Sequence, residues 1–137
     1  MTEVYVDAGA ASLESGVAPD DAATLRADPE ALRALRHLTE AGVRVFVVRA
    51  GGWEPGPELV AVALDVLPAV PARPNAPAFY LTNDIERCQG SSARLRTVFI
   101  GGSPPNGSIR RCDAVARDVQ AAAMEILAAD AMAPSVR

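Results

Sequence analysis

The sequence predicts an α/β fold: a three-layer, Rossmann-like, doubly wound sheet that is mostly parallel. Three observations carry this. Short apolar runs at Val4–Val6, Val43–Val48, Ala78–Thr82 and Leu95–Ile100 are too continuous for half-solvated strands and suit strands covered on both faces. An amphipathic helical pattern separates the first two runs, as a right-handed strand, helix, strand crossover requires. The first and third runs lead into acidic residues at the strand end where open α/β sheets bind ligands.

Each element has its own local signal. The opening stretch Thr2–Ala11, TEVYVDAGAA, is a buried strand that delivers Asp7 at its C-terminal end, and Gly9 frees the turn beyond it. Residues 8–28 have no clear period and read as a loop with room for one short helical turn. Asp28, Pro29 and Glu30 supply an N-cap, a first-turn proline and a dipole-favourable acid. The helix they start places Leu32, Leu35 and Leu38 on one stripe, turns Arg33, Arg36, His37 and Glu40 outward, and stops at Gly42.

VRVFVV is the second strand, followed by Arg49 and a loop containing Gly51, Gly52 and Trp53. Pro57–Leu67 fits a short helix by length and alanine content. Prolines at 68, 71, 74 and 77 then make a stiff extended connection that cannot pair as an interior strand. AFYLT is the third predicted strand, Ile85–Arg94 a helix capped by Asp84, and LRTVFI the fourth strand. Cys112–Ala116 suits a short edge strand, Arg117–Ala129 a final helix, and the last residues read as frayed.

Composition bounds the function. The 137 residues, half of them hydrophobic, suffice for one core and suggest a single domain spanning residues 1–137. Thirteen basic and seventeen acidic residues give a net charge of -4, which argues against nonspecific binding to nucleic acid or to an anionic membrane. Every basic residue is arginine, so any role that usually falls to lysine passes to arginine or is missing. Cys88 and Cys112 lack zinc-type spacing and read as buried free thiols. With no apolar run long enough to cross a bilayer and no leader pattern, the expected location is cytoplasmic.

The chemistry-bearing residues are Asp7 and Asp84. If the strands before them are neighbours, both carboxylates enter one crevice, and two acids without a nearby histidine or cysteine suggest a hard, oxygen-liganded cation such as magnesium. Arg49 is the nearest sequence-predicted cation. His37, the only histidine, lies toward the solvent side of its helix. The glycines after the fourth strand match neither the dinucleotide fingerprint nor the lysine-bearing P-loop, which ranks an unrelated nucleotide-binding fold last.

Taken in order, VYVDAGA, ALRALRHLTEAGVRVFVV, FYLTNDIE, ARLRTVFIGG and DAVARDVQAAAMEIL resemble the core of the haloacid dehalogenase-like (HAD-like) superfamily, mostly phosphatases. The resemblance spans nearly the whole chain and implies a capless HAD-like core. By that resemblance Asp7 is the nucleophile that forms an aspartyl-phosphate and also ligates magnesium. Asp84 is a second magnesium ligand, with Glu86 as its acidic companion. Arg49 stands where the family has a phosphate-binding serine or threonine, and Arg73 is the positional substitute for its lysine.

The family's general acid lies two residues after the nucleophile, where this chain has Gly9. Loss of a positioned acid typically forfeits about a hundredfold to ten-thousandfold in rate, so hydrolysis would be slow. Two functions follow. One is a weak magnesium-dependent phosphatase or phosphoryl-transfer enzyme acting on a small phosphorylated molecule. The other is a catalytically inactive HAD-like fold used as a binding or assembly module with a protein partner. Capless relatives often take active-site cover from another subunit, so a homo-oligomer is expected.

Overall fold

A computed structural model of the protein describes residues 2–13, 24–49, 53–74, 76–88, 94–101 and 112–132. Among these residues six strands form one sheet in the order β3-β2-β1-β4-β5-β6, and every neighbouring pair is parallel. The strands are β1 (Glu3–Asp7), β2 (Arg44–Val48), β3 (Asp65–Leu67), β4 (Ala78–Thr82), β5 (Leu95–Ile100) and β6 (Ala114–Ala116). This is the α/β, Rossmann-like sheet the sequence predicts. Its order reverses between β1 and β4, and the crevice beyond their C-terminal ends is therefore the expected ligand position.

Strand alternation gives the sheet two different faces. Val4, Val6, Val45, Val47, Leu81, Val98 and Ile100 point to one side and pack against all three described helices. These are α1 (Pro29–Glu40), α2 (Pro57–Val62) and α3 (Val119–Met132). α1 starts as expected: the Asp28 side chain accepts from the Glu30 amide at 3.0 Å, with Pro29 in the first turn. It buries Ala31, Leu32, Ala34, Leu35 and Leu38. Gly42, at φ 90°, ends the run in a conformation that a side chain would strain. α3 buries Val119, Ala122, Ala123 and Ile126, and Asp118 caps its first turn by accepting from the Ala121 amide at 2.7 Å.

The opposite face is aromatic and polar. Tyr5, Val48, Ala78 and Tyr80 are buried there against Phe46, Leu67, Val70 and Leu95, with no residue of the three helices in this cluster. Tyr5 stacks on Phe46 at 5.2 Å between ring centroids. Toward the N-terminal rim, Glu3 accepts from the Tyr5 hydroxyl at 3.0 Å and pairs with Arg44 at 2.8 Å. Burial beside the Glu3 carboxylate pushes the Tyr5 hydroxyl up to about 12.

Three expectations need correction. The predicted helix over Pro57–Leu67 stops at Val62, Ala63 turns to extended backbone, and Asp65–Leu67 adds the edge strand β3 to β2. β-branched Val66 fits that pleated edge better than a further helical turn. The predicted helix over Ile85–Arg94 is, among the described residues, a single 3-10 turn at Ile85–Arg87; residues 89–93 lie outside the description. Cys88 and Cys112 are not free thiols but a disulfide, with Cα atoms 5.1 Å apart. Sequence separation hid this proximity, which arises because β4 and β5 are adjacent and β6 follows β5. The loop after β1 does carry a short helical turn, at Ala8–Ala11. The expected frayed end at residues 133–137, the loop at 103–108, and Gly51 and Gly52 lie outside the description. Among the described residues no helix is long and apolar enough to cross a membrane.

Candidate functional site

The site forms where β1 and β4 end side by side. Register pairs Tyr5 with Tyr80 and Val6 with Leu81, so Asp7 comes level with Thr82. Asp7, Tyr80 and Thr82 all sit on the polar face, because the alternation that sends Val6 and Leu81 into the helices turns their neighbours the other way. The Asp7 carboxylate is only 1% exposed. Its Oδ1 accepts from the Tyr80 hydroxyl at 2.7 Å, and its Oδ2 accepts from the Thr82 hydroxyl at 2.6 Å.

The charge on that carboxylate is met by Arg87. One guanidinium nitrogen lies 3.0 Å from Asp7 Oδ2, and the arginine side chain is 32% exposed, bridging the buried acid to the surface. Burial pushes the Asp7 carboxyl above its ordinary range, opposed by the Thr82 and Tyr80 hydroxyls and by Arg87. Tyr80 is raised too, first by burial and then by the Asp7 charge. For Arg87, partial burial disfavours the cation, but Asp7, Tyr80 and Asp84 outweigh it and raise the pKa. The guanidinium therefore feels both acids of the crevice.

Arg87 is held there by the 3-10 turn that follows β4. The Asp84 amide donates to the Thr82 hydroxyl at 3.1 Å, and the Asp84 carboxylate accepts from the Glu86 amide at 3.0 Å. The Arg87 amide closes the turn on the Asp84 carbonyl at 3.0 Å. Thr82 thus links the acid to the turn that carries its counter-charge.

The sequence-predicted residues share a rim but not a cluster. Asp7 and Asp84 both stand at the C-terminal ends of adjacent strands. Asp84 is exposed and its carboxylate serves as a cap, and Glu86 is exposed beside it. Arg49 follows the residue paired with Asp7 on β2, but its guanidinium is engaged by Glu54 at the surface. Arg73 is exposed in the proline-rich connection, outside the Asp7 cluster. His37 is exposed on α1, as expected.

The resemblance implies magnesium, and the donor set does not fit it. Both Asp7 oxygens accept from hydroxyls, and a cation already stands 3.0 Å from Oδ2. Among the described residues no group of three or more histidine, cysteine, aspartate or glutamate side chains is placed to hold a metal ion. Gly9 adds no side-chain oxygen, its backbone carbonyl accepts from the Ser12 amide at 3.4 Å, and a Cβ built there would lie 3.2 Å from the Asn83 side-chain oxygen.

Sequence reasoning missed Arg87, Tyr80 and Thr82. A signal for two of them was present: Tyr80 and Thr82 are polar at alternate positions of an otherwise apolar strand, so they share a face with whatever acid the neighbouring strand delivers. Arg87 carried no such signal, because its position depends on a helix that stops after one turn.

The class this fold and rim define is a parallel, Rossmann-like α/β sheet with an acid at the end of its first strand. In shape the chain is similar to D,D-heptose 1,7-bisphosphate phosphatases, which belong to the HAD-like superfamily. The crystal structure of the enzyme from B. bronchiseptica, complexed with magnesium and phosphate, matches with a TM-score of 0.60 and 15% identity over 93% of this chain and 99% of that one. The enzyme from Burkholderia thailandensis matches with a TM-score of 0.60 and 18% identity over the same shares of each chain, 93% and 99%. At such identity the likeness shows the fold. No protein-family model matches the sequence, and no curated protein matches it.

Proposed function

We propose that this chain is a HAD-like domain that works by binding rather than by turnover, its ancestral nucleophile position now neutralised from within. The observation that carries this reading is the Arg87–Asp7 pair on a carboxylate that is 1% exposed. A carboxylate nucleophile needs a free oxygen aimed at phosphorus. Here Oδ1 accepts from Tyr80, and Oδ2 accepts from Thr82 and faces Arg87. Gly9 supplies no proton for a leaving group, and Arg49, the candidate phosphate holder, is spent on Glu54. A protein partner or a second copy of the chain is the class of ligand such a module would take.

A second reading keeps the chemistry. One structural neighbour is complexed with magnesium and phosphate. On that reading Asp7 attacks a small phosphorylated molecule, Asp7, Asp84 and Glu86 hold magnesium, and Arg49 or Arg73 binds the phosphate. It requires Arg87 to leave Asp7 first.

The two readings separate in a phosphatase screen with magnesium, comparing the parent with Asp7→Asn. The binding reading predicts no turnover of any phosphomonoester by either chain. Magnesium-dependent turnover abolished by Asp7→Asn would establish the second reading instead.

A further inference from the structure

α1 and α3 pack side by side on the helical face of the sheet, yet their outward surfaces differ. α1 turns Arg33, Arg36, His37 and Glu40 to solvent, the charged face that a surface helix ordinarily carries. α3 does not. We propose that the outward face of α3 is the docking surface for a second copy of this chain, the two α3 helices crossing antiparallel about a twofold axis at Ala128.

α3 is apolar on every side. Of its 14 residues only Glu125 and Asp130 are charged, and the Asp130 carboxylate turns back to accept from the buried Thr2 hydroxyl at 2.5 Å. Val119, Ala122, Ala123 and Ile126 are buried against the core. At about 100° per residue the opposite side therefore presents Ala121, Met124, Ala128, Ala131 and Met132. Met124 is 67% exposed and Met132 84%, the two highest values for large hydrophobic side chains among the described residues. A helix that is apolar all round is ordinarily covered all round, and an uncharged surface carrying methionine is what the core of a protein interface uses.

The stripe is complementary to itself. Met124, Ala128 and Met132 make one ridge of i±4 spacing, with the small residue midway between two long ones. Two such ridges interdigitate when their helices cross at about −50°. Ala128, with nothing beyond Cβ, lets the backbones approach at the crossing, and the flexible methionines fill the space on either side of it. An antiparallel twofold there brings Met124 of one helix to the Met132 end of the other and sets Glu125 beside Ala131. Glu125 thus meets no like charge, and the stripe between the methionines loses no charged group from water. The contact is small: α3 is about 21 Å long and about 10 Å wide, a footprint well below the roughly 800 Å² per partner of a stable interface. The dimer is therefore expected to be weak and reversible. The stripe lies outside the helical layer and Asp7 on the opposite face of the sheet, so the pairing is independent of what Asp7 does.

The test is sedimentation equilibrium of the full chain over a concentration series reaching about 1 mM. The average mass is expected to rise from one chain toward two, with a midpoint on the order of 100 µM. Met124→Glu, at an exposed position of the stripe, should move that midpoint at least about tenfold higher. Ala128→Cys, on the axis, should give a covalent dimer under mild oxidation, whereas Gln120→Cys, exposed on the same helix about two turns away, should not. If Met124→Glu disturbs the fold by circular dichroism, the cysteine pair decides alone. A chain that stays monomeric throughout overturns the inference. So does a dimer that a folded Met124→Glu leaves unchanged, or one in which Gln120→Cys cross-links as readily as Ala128→Cys. Co-sedimentation of a monomeric chain with phosphatidylcholine vesicles also overturns it, because the stripe would then belong to a membrane.

Discussion

The two faces of this sheet are built from the same six strands and obey different rules. On the helical face, Val, Leu and Ile side chains from five of the strands meet three helices, and each contact is replaceable by another of similar volume. On the polar face, Asp7 is satisfied by Tyr80, Thr82 and Arg87, which lie 73 to 80 positions further along the chain. Burial is comparable, but the penalty for a wrong residue is not. An apolar core loses area when altered, whereas a buried carboxylate loses the partners that make its burial tolerable. Function is therefore expected to reside on the polar face, and stability to be spread over the helical one.

The comparison can be broken first at its strongest point. Leu35→Ala, at the centre of α1 and fully buried, should cost about 2–5 kcal/mol in urea unfolding while leaving the Asp7 cluster intact. On the polar face, Arg87→Ala should cost about 2 kcal/mol, below the value for a fully buried pair because the guanidinium reaches solvent. Tyr80→Phe removes one donor from the acid and should cost about 1–2 kcal/mol. If these two polar-face variants proved neutral, the cluster would be ornamental to the fold.

Asp7 also leaves a mark on the pH dependence. Its carboxyl is raised in the folded chain by burial, so the folded state holds the proton where the unfolded state has lost it. The stability it contributes is fully present below the ordinary carboxylate value and is lost as pH rises through the folded value. Asp7→Asn should flatten that decline in a series of unfolding curves across the acidic range. The smallest effect is expected of Gly9→Ala, where the new methyl meets only the end of the Asn83 side chain; a cost below about 1 kcal/mol is predicted.

What could be read in advance follows the same division. α1 was legible from its cap, its proline and its leucine spacing, because those signals are local. The strands were legible from apolar continuity, and the placement of Asp7 and Asp84 on one rim followed from the crossover rule. β3 was missed because Pro57–Leu67 changes conformation within one largely apolar stretch, where valines stand both in the helix, at 60 and 62, and in the strand, at 66. The disulfide and Arg87 were missed for a common reason. Both depend on where a chain goes after β4, and that segment departs from the helix its composition suggests. Tyr80 and Thr82 could have been found by applying the two-residue period to AFYLT beside an acid-bearing strand.

Which cation neutralises Asp7 decides between binding and turnover. The direct measurement is the thermal unfolding midpoint of the oxidised parent, titrated with magnesium and compared with Asp7→Asn, since a ligand that binds only the folded state raises the midpoint. With Arg87 as the counter-charge, magnesium should leave the parent unmoved and the two titrations parallel. A magnesium-dependent rise in the parent that disappears in Asp7→Asn would contradict it.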